Sequence, residues 1–160
     1  MRVTDIIQLQ ALIRSKDWTS AHAMLDDARN RAFTSEDIRR EAYWRVAVLE
    51  GEQRYEEALE LLRKNANLFN SQSLVHLDLA RYLDKLGRSQ EALDELKKAP
   101  IEEEMEDYYG LAIDAKFFYL LAKSGDTSVK EQLAEIPDDY RHIAMGGKFL
   151  TKADIVALLK

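Results

Sequence analysis

The chain of 160 residues has no cysteine, so it can build neither a disulfide framework nor a thiolate metal site, and its composition fits a reducing compartment. Proline occurs twice and glycine six times, which fits a strongly helical protein rather than a disordered or β-rich one. No run approaches the roughly 18 apolar residues of a membrane span, and Met1 to Ile6 lack the basic start and apolar core of a leader peptide. A soluble, cytoplasmic protein with no membrane association is the expectation. The three histidines, His22, His76 and His142, lie far apart, and none has a second ligand three or four residues on, so no helical metal site is expected. G-x-S-x-G, a phosphate-binding glycine loop and a Cys/His pair are all missing, and Gly146-Gly147-Lys148 reads as a turn. Neither an enzyme nor a cofactor is expected.

What is present is apolar and charged in helical proportion. Hydrophobic residues make up 46% and charged residues 32%, enough for one domain with a substantial core. The formal net charge of −6 opposes binding to a phosphate backbone, so nucleic acid is not an expected partner, and it would attract a basic one.

The stretch from Arg39 to Lys98 holds two copies of one design. Arg54-Tyr55-Glu56-Glu57-Ala58-Leu59-Glu60-Leu61-Leu62 and Arg88-Ser89-Gln90-Glu91-Ala92-Leu93-Asp94-Glu95-Leu96 align residue for residue, with Ala58 34 residues before Ala92. A period of that size with helical apolar spacing inside it marks a stacked array whose units cannot bury their faces alone. Asp17-Trp18-Thr19-Ser20-Ala21 stands where Arg54 to Ala58 stands later, and Asp126 to Leu133 is a weak fourth copy, with Lys130 in the place of the small alanine.

Local signals divide the chain into helices. Ile6, Leu9 and Ile13 form one stripe. Asp17 caps a second helix carrying Ala21 and Leu25, and Thr34 with Asp37 opens a third carrying Ala42, Val46 and Leu49. A fourth helix starts near Tyr55, a fifth runs from about Ser71 to Gly87, and a sixth spans Ser89 to Lys98. The two glycines Gly87 and Gly125 sit where a helix end needs a left-handed residue. Pro100 suits a helix start, and the acids from Glu102 to Asp107 then suit its dipole. Pro137 to Ala144 reads as a short helix, Gly146-Gly147 as a turn, and Thr151 to Leu159 as a final helix opened by a Thr151/Asp154 capping box.

Helix pairs of this period resemble the tetratricopeptide repeat. The third unit carries the resemblance best, with Leu79, Ala80, Leu83, Gly87, Ala92, Leu96 and Ala99 at the pattern positions; the second matches at Ala42, Val46, Leu49, Ala58 and Leu62, with Gln53 where the turn glycine is expected. The resemblance implies an all-α fold: a right-handed superhelical array of antiparallel helix pairs, an α-solenoid with a C-terminal capping helix. It forms a single domain with units at about 2–33, 35–69, 71–99 and 101–136 and a cap at 137–160. It also implies a concave groove lined by the first helices. The positions carried to that groove are Ile6, Gln10, Tyr43, Ala47, Glu50, Leu77, Arg81, Asp84, Ala115, Tyr119 and Lys123. Inter-helix packing is the plainer account of Tyr43 and accounts equally well for Tyr119, while Arg81 and Lys123 are as well placed to pair with Asp84 and Glu50.

The functional expectation is a non-catalytic module that binds a protein or peptide. One version is an acidic immunity or antitoxin protein that neutralises a basic toxin, with Glu103, Glu104 and Glu106 supplying long-range attraction. Another is a secretion chaperone.

Overall fold

The computed structural model describes residues 1, 3–99, 111–143 and 149–160. Helices α1 (Val3–Ser15), α2 (Trp18–Asn30), α3 (Ser35–Gly51) and α4 (Tyr55–Asn65), the last extended by a 3-10 turn at Ala66–Leu68, are followed by α5 (Gln72–Lys85) and α6 (Ser89–Leu96). Then come α7 (Leu111–Lys123), the single turn α8 (Val129–Gln132), strands β1 (Arg141–Ile143) and β2 (Phe149–Thr151), and α9 (Lys152–Leu158). The chain forms two compact units, Met1–Asn70 and Ser71–Lys160. Neighbouring helices pack on one another within each unit, and no described helix is long and apolar enough to cross a membrane.

One turn recurs in every pair. Lys16, Gln53, Gly87 and Gly125 all have φ between +59° and +88°. Behind them the amides of Asp17, Arg54, Arg88 and Asp126 donate to the carbonyls of Leu12, Leu49, Leu83 and Leu121 at 2.9–3.0 Å. The amides of the four left-handed residues themselves donate to Ile13, Glu50, Asp84 and Ala122. This double closure is the Schellman motif, which satisfies the last helical carbonyls and reverses the chain within two residues. Gln53 therefore takes the glycine conformation without being glycine, as its place in the repeat requires. Lys16 does the same one unit earlier.

Caps fix the other ends. The side chains of Asp17, Thr34 and Ser71 accept from the amides of Ser20, Asp37 and Leu74, and Thr151 with Asp154 makes a reciprocal box. At the starts of α4 and α6 an arginine replaces the capping acceptor, and the two copies again agree: Arg54 pairs with Glu57 and Arg88 with Glu91, at 2.6 and 2.7 Å.

In the first unit Leu9, Ala21, Leu25 and Val48 form a buried cluster against which Leu12, Ile13, Trp18 and Trp44 pack, while Ala58, Leu59 and Leu62 bury the inner face of α4. Gly51 passes beneath the Trp18 ring, where a Cβ would lie 2.7 Å from its Cη2. In the second unit Ala115, Phe118 and Ala122 of α7 gather Val129, Leu133, Ile136 and Ile155. Ala58 and Ala92 are both fully buried, as the small position of paired helices requires.

The segment from Pro137 differs from expectation. Residues 141–143 are a strand, paired antiparallel with 149–151 in the register Arg141–Thr151, His142–Leu150, Ile143–Phe149. Thr151, read as a helix start, is also the last residue of that ribbon. The physical reason is length: between Pro137, which cannot extend a helix hydrogen-bonded behind it, and the glycine pair there is no room for more than two turns. Pairing across the ribbon satisfies backbone groups of 141–143 that a helix would otherwise have satisfied. The expected fourth copy is likewise reduced, α8 being one turn followed by a 3-10 turn at Leu133–Glu135. The turn read at Gly146-Gly147 and the helix start at Pro100 lie outside the described residues.

Candidate functional site

The positions read as a groove fall into two groups, one in each unit. On α3, Tyr43, Ala47 and Glu50 share a stripe at the spacing i, i+4, i+7. Tyr43, for which packing was the plainer account, is 40% exposed, and its ring stands edge-on to Trp44 at 5.5 Å and 88°. Trp44 packs against the buried cluster of the first unit, so the exposed phenol rests on an anchored indole. Ala47 and Glu50 are half-buried. In the N-terminal helix Ile6 is half-buried and Gln10 exposed.

In the second unit the same positions are taken up by packing. Leu77 is 2% exposed and belongs to the core, as does Ala115. Arg81 pairs with Asp78 at 3.0 Å, and its guanidinium lies 5.2 Å from the centroid of Tyr82. Asp84 is buried and accepts from two lysines of α7, Lys116 and Lys123, each at 2.7 Å. Both ammonium groups also face the ring of Tyr119, at 4.7 and 6.0 Å from its centroid.

Burial alone would raise the Asp84 carboxyl, but the charge and hydrogen bonds of Lys116 and then Lys123 outweigh it and hold the group below its usual range. Lys116 shifts the other way from what its partner would dictate: burial pulls it down, against the attraction of Asp84, and the like charges of Arg81 and Lys123 add to the loss. Lys123, nearer to water, is raised by its hydrogen bond to Asp84. The cluster thus ties α5 to α7 with one carboxylate between two cations. Sequence reasoning named three of its members and missed Lys116. The signal was available, since Lys116 and Lys123 are seven residues apart on one face with Tyr119 between them.

A second polar contact also went unread. His76 Nδ1 lies 2.8 Å from Oε1 of buried Glu95, whose other oxygen accepts from Lys98 at 3.0 Å. His22 is held comparably, its Nε2 2.7 Å from Glu52, which also receives Arg54 at 3.1 Å.

One concavity lies elsewhere than the first-helix stripe. It is an open groove of about 560 Å³ within the first unit, between α2 and α4 and floored by α3. His22 and Asp26 of α2 form one wall, and Glu57, Glu60, Leu61 and Lys64 of α4 the other. Arg45 and Leu49 lie beneath, and Arg54 closes one end. Much of its charge is internally matched: Arg45 bonds Asp26 at 2.9 Å and also Glu41, and Arg54 bonds both oxygens of Glu57 at 2.6 Å. Among the described residues Glu60 and Lys64 engage no partner.

No group of three His, Asp or Glu side chains is placed to hold a metal among the described residues. Glu103, Glu104 and Glu106 lie outside the described residues. No protein-family model, no curated protein and no solved structure matches the chain.

Proposed function

We propose that the protein is a non-catalytic binding module of the tetratricopeptide-like kind, and that it takes a segment of a partner protein in the groove between α2 and α4. The observation that carries this is the groove itself. At about 560 Å³ it falls in the range of specific ligand sites, with two leucines in its lining and polar groups converging from three helices. The four-fold recurrence of the left-handed turn supports reading the helix pairs as repeat units, and with that reading comes the binding role, by analogy of fold. The net charge of −6 favours a basic partner, which is the toxin-neutralising version of the same idea, and a cytoplasmic setting suits it. Tyr43 on its Trp44 support is a second contact candidate on the same unit, since exposed anchored aromatics contribute heavily to interfaces.

The test is an affinity capture from the native host with the parent protein, a groove-filled Leu61→Trp variant and a surface control, Lys130→Glu, each shown by circular dichroism to be folded. A partner held by parent and control but lost from Leu61→Trp is the expected result. Identical capture by all three would remove the groove from the function.

A further inference from the structure

We infer that the groove between α2 and α4 selects an extended segment in which a basic and an acidic side chain stand two residues apart. This rests on the groove being the partner site and names what that site prefers.

The wall supplied by α4 is a single helical face, Arg54, Glu57, Glu60, Leu61 and Lys64. From its first to its last residue it runs about 15 Å along the axis, the length of four to five residues of extended chain. An amphipathic helix is a poorer fit, because it needs a continuous apolar strip for its i, i+3, i+4 and i+7 anchors, whereas the lining offers only Leu49 and Leu61.

The charges decide what such a strand carries. Asp26 is taken up by Arg45 of α3, and Glu57 by Arg54 at the start of its own helix. Glu60 and Lys64 remain, of opposite sign, one helical turn apart on the same rim and with no partner among the described residues. Glutamate four residues before lysine can pair within a helix, but such a solvated pair is weak, so a better-placed partner displaces it. One turn corresponds to a separation of about 6 Å along α4. In an extended chain, residues i and i+2 are separated by about 6.6 Å and point to the same side. A basic residue at i and an acidic residue at i+2 therefore reach Glu60 and Lys64 together. The methylene stem of the basic residue then lies over Leu61 and Leu49. The intervening residue points to solvent and is not selected.

The experiment titrates the isotopically labelled full chain with acetylated, amidated pentapeptides and follows amide shifts. The set is Ala-Lys-Ala-Glu-Ala, the adjacent-charge isomer Ala-Lys-Glu-Ala-Ala, and the like-charged Ala-Lys-Ala-Lys-Ala and Ala-Glu-Ala-Glu-Ala. The expected result is saturable shifts confined to residues lining the groove, with the spaced opposite pair preferred by about fivefold for each mismatched charge. Lys64→Glu should move the preference to the doubly basic peptide, and Glu60→Lys to the doubly acidic one. Both changes are at solvated positions, so folding is unaffected. Equal affinities across the set, or an order unmoved by the two reversals, overturns the inference. If the peptides are not discriminated yet Leu61→Trp still releases the native partner, the groove stands as the site and only its charge code falls. If the code holds while Leu61→Trp keeps the native partner, the proposed function falls instead.

Discussion

Asp84 shows how a residue placed on a binding surface by pattern becomes a structural one. Its position in α5 matches a groove position of the repeat, yet the next first helix brings Lys116 and Lys123 onto it at 2.7 Å each. The sequence holds every participant, but periodicity assigns a face and does not say whether an opposite charge 32 or 39 residues away will land there. Removing one member of such a buried set is costly because it leaves Lys116 charged and unmatched. Asp84→Asn should therefore destabilise by about 3–5 kcal/mol, whereas Asp84→Leu combined with Lys116→Met should cost far less. Urea titrations of the two variants and the parent check this. The pH dependence has a definite sign. Since the folded carboxyl of Asp84 titrates below its unfolded value, its contribution is complete above the ordinary carboxylate range and is lost as pH falls through the depressed folded value. Lys116 acts oppositely at the alkaline end, where its lowered folded value means that its burial penalty is relieved as pH rises toward the ordinary lysine range. Asp84→Asn should accordingly flatten the acid limb of the stability curve. An unchanged acid limb would show that the pair contributes nothing.

At the scale of elements, most boundaries were legible because helices announce their ends with short-range chemistry. Asp17, Thr34, Ser71 and Thr151 cap where their side chains can reach the third amide, and Gly87 and Gly125 take the left-handed turn. The ribbon at 141–143 and 149–151 was not legible, because three-residue strands are too short to show an alternation and their pairing is non-local. The groove between α2 and α4 was missed for a related reason. In the sequence Arg54, Glu57, Glu60 and Lys64 are charged positions on one helix and nothing more, and only the placement of α2 opposite them makes a wall. The recurring turn yields a prediction about strain. Lys16 and Gln53 hold a conformation that costs a side-chain-bearing residue about 1–2 kcal/mol, so Lys16→Gly and Gln53→Gly should each stabilise the protein by roughly 1 kcal/mol. The mirror experiment is Gly87→Ala, where a Cβ meets nothing within 4 Å, so that any loss reports the backbone alone. Thermal melts that leave Gln53→Gly no more stable, or Gly87→Ala no less, would mean that the side chains at these turns make compensating contacts.

At the scale of the whole molecule the relevant quantity is the net charge of −6, which acts on a partner before any contact forms. If the partner is basic, this field speeds encounter within a Debye length, about 8 Å at physiological salt, and salt removes the advantage. Two origins of the field can be separated. Reversing Glu103, Glu104 and Glu106 to lysine makes the protein formally neutral, since each reversal adds two charges. Reversing the exposed acids Glu131, Glu135 and Asp139 does the same from another part of the chain. Steering by total charge predicts that both triple variants associate more slowly than the parent at low ionic strength, by similar factors, and that all three converge at high salt. A local acidic patch predicts that only the first variant is slowed. Dissociation should be unchanged in every case, because long-range attraction acts on the approach and short-range contact on the residence. Stopped-flow association with the captured partner at two ionic strengths gives the answer. Equal low-salt rates for the parent and both reversed proteins would leave the groove between α2 and α4 to find its segment by short-range complementarity alone.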